Sequence, residues 1–313
     1  MGTKESLIYY KLEVKLLNHT AYPGSNSFLN RRCFMMTVDV DGWWSLLNFY
    51  GVAHTISQAE AQVKVEDGIQ RLLDLFEKNG VLATFFVTGD MARRHPNSVK
   101  EIYKRGHEVA CHGLLHLKDE YLGSRMEQRR SIEEATGVIE KITGVQPVGF
   151  RAPCLRVNQD TFRVLSENGY LYDSSMIPTF IPGYYGYLQQ NFKPYWVPAD
   201  FSHEKDNCLL ELPVSVNPLL RIPMSAAWMR NLGANWVKLG LRLNFCLNYP
   251  VVFYVHPRDV LSLPPLRGVP SHIYRNVGNS TLNILDGVLK YAKRHGGFFL
   301  RAVEFTKAYQ NFA

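Results

Sequence analysis

From residue 34 onward the hydrophobic positions change period repeatedly, from short continuous runs to a helical spacing and back. The run Phe34–Met36 and the alternation after it predict a buried strand that ends in two carboxylates, Asp39 and Asp41. A strand repeats every two residues, so both side chains point to one side. Val65, Ile69, Leu72, Leu73 and Phe76 fall at helical spacing, and Gly80 stops that helix. VLATFFVTG (81–89) predicts the next buried strand, HPNSVKEIYKRG a short helix ending at Gly106, and HEVACHG the strand after it. The stretch 124–144 predicts a long amphipathic helix with a glycine stop, and PVGFRAP a strand end. A further helix begins at Asn158, whose side chain can cap it. YLYDSS, CLLELPVSV and PVVFYVHP read as strands, NSTLNILDGVLKYAKRHGG as a helix and FFLRA as a last strand. Alternating units of this length predict a parallel sheet with helices outside it, with closure into a barrel as one form. Residues 1–33 have no clear period and read as an N-terminal arm ahead of a single domain over 34–313.

A chain of 313 residues with 46% hydrophobic positions can bury a large core. It has no apolar run long enough to span a bilayer. Its opening, MGTKESLIYYKLEVKLLNHT, breaks apolar stretches with charges and lacks a small-residue cleavage site, which points to a cytoplasmic protein. Five dispersed cysteines with no CxxC fit reduced thiols. The net charge of +7 suits nucleic acid, an anionic membrane surface or an anionic substrate. No nucleic-acid-binding signature accompanies it, so no nucleic-acid partner is expected. The stretch 224–247 puts Trp228, Leu232, Trp236, Leu239, Leu243 and Leu247 on one helical face, with Arg230, Lys238 and Arg242 elsewhere. Such a helix either buries its apolar face in the core or lies in a membrane interface.

In parallel α/β barrels, functional groups gather at the C-terminal ends of the strands. The polar residues at the predicted ends are Asp39 and Asp41, then His112 and His116 of HGLLH, then Arg151, then His256. Two histidines and one carboxylate can make a three-ligand metal site with open positions. Paired aspartates can equally cap the helix that follows them. In this order the pieces strengthen one another, and here the chain resembles the polysaccharide deacetylases, the NodB-homology group also called carbohydrate esterase family 4. TVDVD (37–41) stands where that family carries its first aspartate motif, in the variant with a residue between the two carboxylates. HGLLH, RAPC (151–154) and YVHP (254–257) follow in the family's order.

The resemblance implies a distorted, incomplete (β/α) barrel of about seven strands. It also implies a metal-dependent hydrolase that removes an N-acetyl group from an amino sugar of a polysaccharide, oligosaccharide or lipid-linked saccharide. Asp39 would be the catalytic base, held by Arg151, and His256 the catalytic acid. Asp41, His112 and His116 would hold a divalent metal, zinc by default. Gly113 departs from the family's Ser or Thr, and Cys154 from a larger residue. The family's usual Asp-x-x-Asp-Trp motif has no counterpart, and Glu211 is the candidate to orient His256. Trp43 and Trp44 could stack on a sugar or simply pin their loop; Pro153, Cys154 and Glu211 complete the candidate substrate-binding set. The rivals are a deformylase or cyclic-amide amidohydrolase of the same fold and a non-catalytic carbohydrate-binding protein. An anionic or lipid-linked substrate and peripheral contact of 224–247 with the inner membrane face follow as expectations about partners.

Overall fold

The structure is a computed structural model and describes residues 32–42, 45–46, 50, 64–181, 185–186, 191–198, 208–263 and 268–311. The expected arm up to residue 31, and Trp43 and Trp44, lie outside the described residues. The chain runs β1 (Arg32–Val40), α1 (Val65–Lys78), β2 (Thr84–Val87), α2 (Gly89–Arg94), α3 (Pro96–Lys104), β3 (Glu108–Cys111), α4 (Arg125–Thr143), β4 (Gly149–Phe150), α5 (Gln159–Glu167) and β5 (Tyr172–Asp173). A small antiparallel pair follows, β6 (Phe180–Ile181) with β7 (Tyr185–Gly186). Then come β8 (Tyr195–Pro198), β9 (Cys208–Glu211), α6 (Ala226–Leu232), α7 (Ala234–Cys246), β10 (Val251–Val255), α8 (Asn279–Arg294), β11 (Gly297–Phe299) and α9 (Ala302–Gln310).

The main sheet is ordered β10-β1-β2-β3-β4-β5-β9-β8, with β11 on the start of β1. Every ladder is parallel except β8 on β9. Among the described residues the sheet does not close. Single contacts stand in for the missing ladder: Ser215 N donates to Val252 O, and Ser225 bridges Tyr254. The alternation predicts the parallel sheet, and the distorted, incomplete (β/α) barrel is the form that the resemblance implies.

The period of two in β1 sorts its residues into two layers. Phe34, Met36, Val38 and Val40 pack outward against the helices, with Ile69, Leu72 and Phe76 of α1 among their cluster. Cys33 and Met35 face the barrel interior with Phe86, Tyr172 and Leu210. Asn158 caps α5 as expected, accepting from Thr161 N. Ser124 and Glu127 form a capping box on α4, which stops at Gly144 with φ +76°.

Two helices escape the sequence pattern. α2 is only six residues long and is started by Thr88, whose hydroxyl accepts from Met91 N. α9 lies in the last ten residues described, where the predicted strand was the final element. It sends Ala302, Phe305 and Ala308 into the interior cluster. Ala302 N donates to Thr84 Oγ1 and Val303 N to Glu108 Oε2, at the first residues of β2 and β3. α9 therefore plugs the N-terminal end of the barrel and leaves the C-terminal end for the site.

The stretch 224–247 is two helices, broken at Gly233 with φ +89°. Its buried residues include Met229, Val237, Leu241 and Phe245. Leu232, Leu239 and Leu247 are each 47% exposed, while Trp228, Trp236 and Leu243 are half-buried and Trp236 packs against the core, so the stripe read from the helical wheel is split between core and surface. Among the described residues no helix is long and apolar enough to cross a membrane.

Candidate active site

β1 carries Thr37 and Asp39 on its interior face, Asp41 follows one residue past its end, and all three are buried. β3 delivers His112, β4 delivers Arg151 and β10 delivers His256, each one residue past the strand. The predicted strand-end residues thus meet at one mouth of the barrel. Cys111 falls on the outward face, as strand alternation requires, and belongs to the helix-side core.

Arg151 is among the largest fully buried side chains in the protein. Its Nη1 donates to Asp39 Oδ1 at 2.6 Å and to Thr37 Oγ1 at 2.9 Å. Nη2 donates to Ser174 Oγ at 2.9 Å and Nε to Ser174 O at 3.0 Å. The guanidinium lies 4.2 Å from the centroid of the Phe86 ring. A planar fork with fixed donors and an aromatic face is the part of Arg that Lys cannot supply. Burial opposes the charge of Asp39, but Arg151 and the nearby histidines outweigh it and hold the carboxyl below the usual range.

The HGLLH loop is bent at two left-handed residues, Gly113 with φ +75° and His116 with φ +58°. A Cβ on Gly113 would stand 2.8 Å from Tyr121 Cε2 and 3.1 Å from Pro153 Cδ, which explains why the family's Ser or Thr is absent. Glu120 fixes the loop by accepting from Leu114 N at 2.8 Å and from Leu117 N at 3.1 Å. The two rings come to 5.0 Å between centroids. His116 Nε2 lies 3.5 Å from Asp41 Oδ2. His112 Nδ1 pairs with Arg151 O at 2.7 Å, which leaves its Nε2 for the site. Burial lowers the pKa of both histidines, that of His116 to about 3, so both are neutral donors at neutral pH.

On the other side of the mouth, His256 begins a short 3-10 turn, Pro257–Val260. Asp259 accepts from His256 N at 2.9 Å and faces His256 Nδ1 at 3.3 Å. Its other oxygen meets Arg230 Nη2 at 2.9 Å, and both side chains are buried. Burial works against the Asp259 charge, yet Arg230 and His256 hold it well below the usual carboxylate range. The partner of His256 is therefore Asp259, and the expectation for Glu211 is corrected. Glu211 accepts from Met176 N at 3.0 Å and is paired with Asp173. Burial pushes both of those carboxyls up, and Asp173 pushes that of Glu211 up further. The signal for Asp259 was present in HPRD, an acid three residues after the histidine. Nothing in the sequence points to Arg230, which the helical wheel places only off the apolar face.

Arg258, in the same turn, forms an ion pair with Asp41 Oδ1. Burial opposes the Asp41 charge, but Arg258 and the histidines outweigh it, and its pKa falls to about 2. The other oxygen, Asp41 Oδ2, is buried without a hydrogen-bond partner, as is His116 Nδ1. Pro153 is buried beside Gly113, and Cys154 and Leu155 hold left-handed φ values of +56° and +55°. Such strain collects at functional sites. Burial first, and then Asp41, push the Cys154 thiol up to about 11, so it is no nucleophile at neutral pH.

A carboxylate oxygen without a partner, facing two neutral imidazoles, is the donor chemistry of a divalent-cation site. In this conformation, among the described residues, no three His, Cys, Asp or Glu side chains are assembled to hold an ion. The donor types fit, while Arg258 occupies part of Asp41.

An incomplete parallel barrel with two arginine-held aspartates and two histidines at its mouth is the architecture of the NodB-type distorted (β/α) barrels. The polysaccharide deacetylase family model matches residues 52–172. Over that stretch, about two fifths of its length, the chain is similar to the polysaccharide deacetylases. The peptidoglycan deacetylase of Helicobacter pylori is 29% identical over 185 residues, 59% of this chain and 59% of that protein. The peptidoglycan deacetylase-like protein FGM2 of Gibberella zeae is 34% identical over 111 residues, 35% of this chain and 32% of that protein. The chain thus spans about a third to three fifths of the length of these curated relatives. The crystal structure of Puue allantoinase superposes with a TM-score of 0.62 at 18% identity, over 93% of this chain and 95% of that one. At that identity the likeness speaks for the fold alone.

Proposed function

We propose that the protein hydrolyses the amide of an N-acylated amino sugar, the acyl group being acetyl as in the names of its relatives. The observation that carries this reading is the buried Arg151–Asp39 pair beside His112, His116 and Asp41, with the His256–Asp259 pair opposite. Asp39, kept ionised by Arg151, takes a proton from the attacking water. The water oxygen adds to the acyl carbon. His256, oriented through Nδ1 by Asp259, gives a proton from Nε2 to the sugar nitrogen as the C–N bond breaks. A carboxylate and an amine result, and neither leaves without that proton. Asp41, His112 and His116 would hold a divalent metal, zinc by default. When bound, such an ion polarises the acyl carbonyl and acidifies water.

A release screen tests this reading. N-acetyl and N-formyl sugars, free, polymeric and lipid-linked, would be offered with several divalent metals alongside a hydantoin. Acetate from a sugar amide is the expected product, and His116→Ala should lose both metal and activity. Formate alone makes the protein a deformylase. Ring opening alone makes it a cyclic-amide hydrolase. No product with any substrate leaves a carbohydrate-binding protein.

The same reading extends to location. Between Glu211 and Asp259 there is no acidic residue, and the exposed leucines of α6 and α7 lie in that interval. Arg242 is exposed beside it, while Lys238 sits over the Tyr291 ring and Arg230 is buried. Exposed leucines on an acid-free stretch of chain suit an anionic lipid face. All five cysteines are free, which fits the reducing cytoplasmic side. The protein should sediment with phosphatidylglycerol vesicles at low salt and release at high salt. Replacing Leu232, Leu239 and Leu247 by Ser should abolish sedimentation without unfolding, because all three are exposed. Wild-type protein that stays in the supernatant at low salt removes the membrane from the account.

A further inference from the structure

The two strand-end aspartates do not share one fate. Each carries its own guanidinium: Arg151 on Asp39 and Arg258 on Asp41. With Arg230 on Asp259, three buried carboxylates meet three arginines. His112 and His116 are neutral, so the three carboxylates and three guanidinium groups balance one another. A divalent cation placed on Asp41 would stand close to the Arg258 guanidinium. That repulsion is large in a site screened from water.

The two arginines differ in freedom. Arg151 has a fully buried side chain fixed by four hydrogen bonds. The Arg258 side chain is 16% exposed and rides on a 3-10 turn at the rim. The unpartnered Asp41 Oδ2 lies 3.5 Å from His116 Nε2, a spacing that two donors to one ion can hold, while Arg258 holds the other oxygen of the same carboxylate.

We propose that Arg258 and a divalent metal compete for Asp41, so that Arg258 latches the site closed without metal and must release the carboxylate for metal to bind. This rests on the metal-site reading given above. The latch makes metal binding weak and exchangeable. It also makes the residue after Pro257 a determinant of metal affinity.

Co²⁺ and Zn²⁺ affinities, measured by competition with a chromophoric chelator, test the latch on wild type, Arg258→Gln, Arg258→Lys and His116→Ala. Arg258→Gln should bind either metal more tightly, on the order of tenfold to a hundredfold, because a cation is removed from beside the ligand. Arg258→Lys should fall between it and wild type. Arg258→Gln leaves Asp41 buried without its cation, so its melting temperature should also rise more on adding Zn²⁺ than that of wild type. Equal or weaker metal binding in Arg258→Gln and Arg258→Lys, with His116→Ala still impaired, overturns the latch and leaves the metal site standing. Arg258 would then support Asp41 rather than compete for it. Unchanged binding in His116→Ala overturns the metal-site reading, and the latch with it.

Discussion

Asp39→Asn is expected to lower kcat by a factor on the order of 10² or more, as the loss of a positioned general base does. Asn keeps the shape of Asp and still accepts from Arg151, so the barrel should fold and retain its metal affinity. What it loses is the basic oxygen. Asp39 is buried and held ionised by Arg151, so no neighbouring water can take over its role cheaply. The comparison requires Asp41→Asn beside it. That variant should weaken metal binding itself, measured by elemental analysis after dialysis. If both variants lose metal equally, Asp39 and Asp41 are both ligands and the division of labour is wrong. If Asp39→Asn keeps full turnover well below its melting temperature, Asp39 is not the base.

Arg151→Met should produce the largest loss of stability. It leaves the Asp39 charge buried without its partner, and Thr37 Oγ1, Ser174 Oγ and Ser174 O lose their donor. Breaking a buried pair from one side costs about 3–5 kcal/mol. For a chain of this size that is a fall in melting temperature on the order of 10 °C. Thermal unfolding followed by circular dichroism would show it. A change within about 2 °C would mean that the network around Arg151 is not tied to folding. The double variant Arg151→Met with Asp39→Leu removes the stranded charge and should recover part of the loss.

Much of this site is legible in the sequence because it hangs on strand ends. A period of two places Asp39 and Asp41 together, and the Phe34–Val40 run makes the strand itself plain. His112, Arg151 and His256 follow the same rule, each just past a run of buried residues. The parts that were not legible depend on contacts across the chain. Arg230 reaches Asp259 from a different helix, with 28 positions between them, and the helical wheel places it only off the apolar face. Glu211 ends a strand next to β5, so its partner is Asp173 across the ladder rather than His256 across the mouth. The break at Gly233 is a backbone event, and a helical wheel drawn through it puts the exposed leucines and the tryptophans on one continuous face. The helix that plugs the barrel, α9, is short and has few large apolar residues. Its place is set by the first residues of β2 and β3, which no local pattern foretells. Glu120, which pins the histidine loop, sits in a polar run that looks like surface.

The central claim is that water hydrolyses a sugar amide at this mouth. Reaction in H₂¹⁸O with an N-acetylated glycan measures it directly. The account predicts one ¹⁸O in each released acetate, one free amine formed per acetate, and neither product with His116→Ala. Amine formation without labelled acetate, or labelled acetate released equally by His116→Ala, would contradict it.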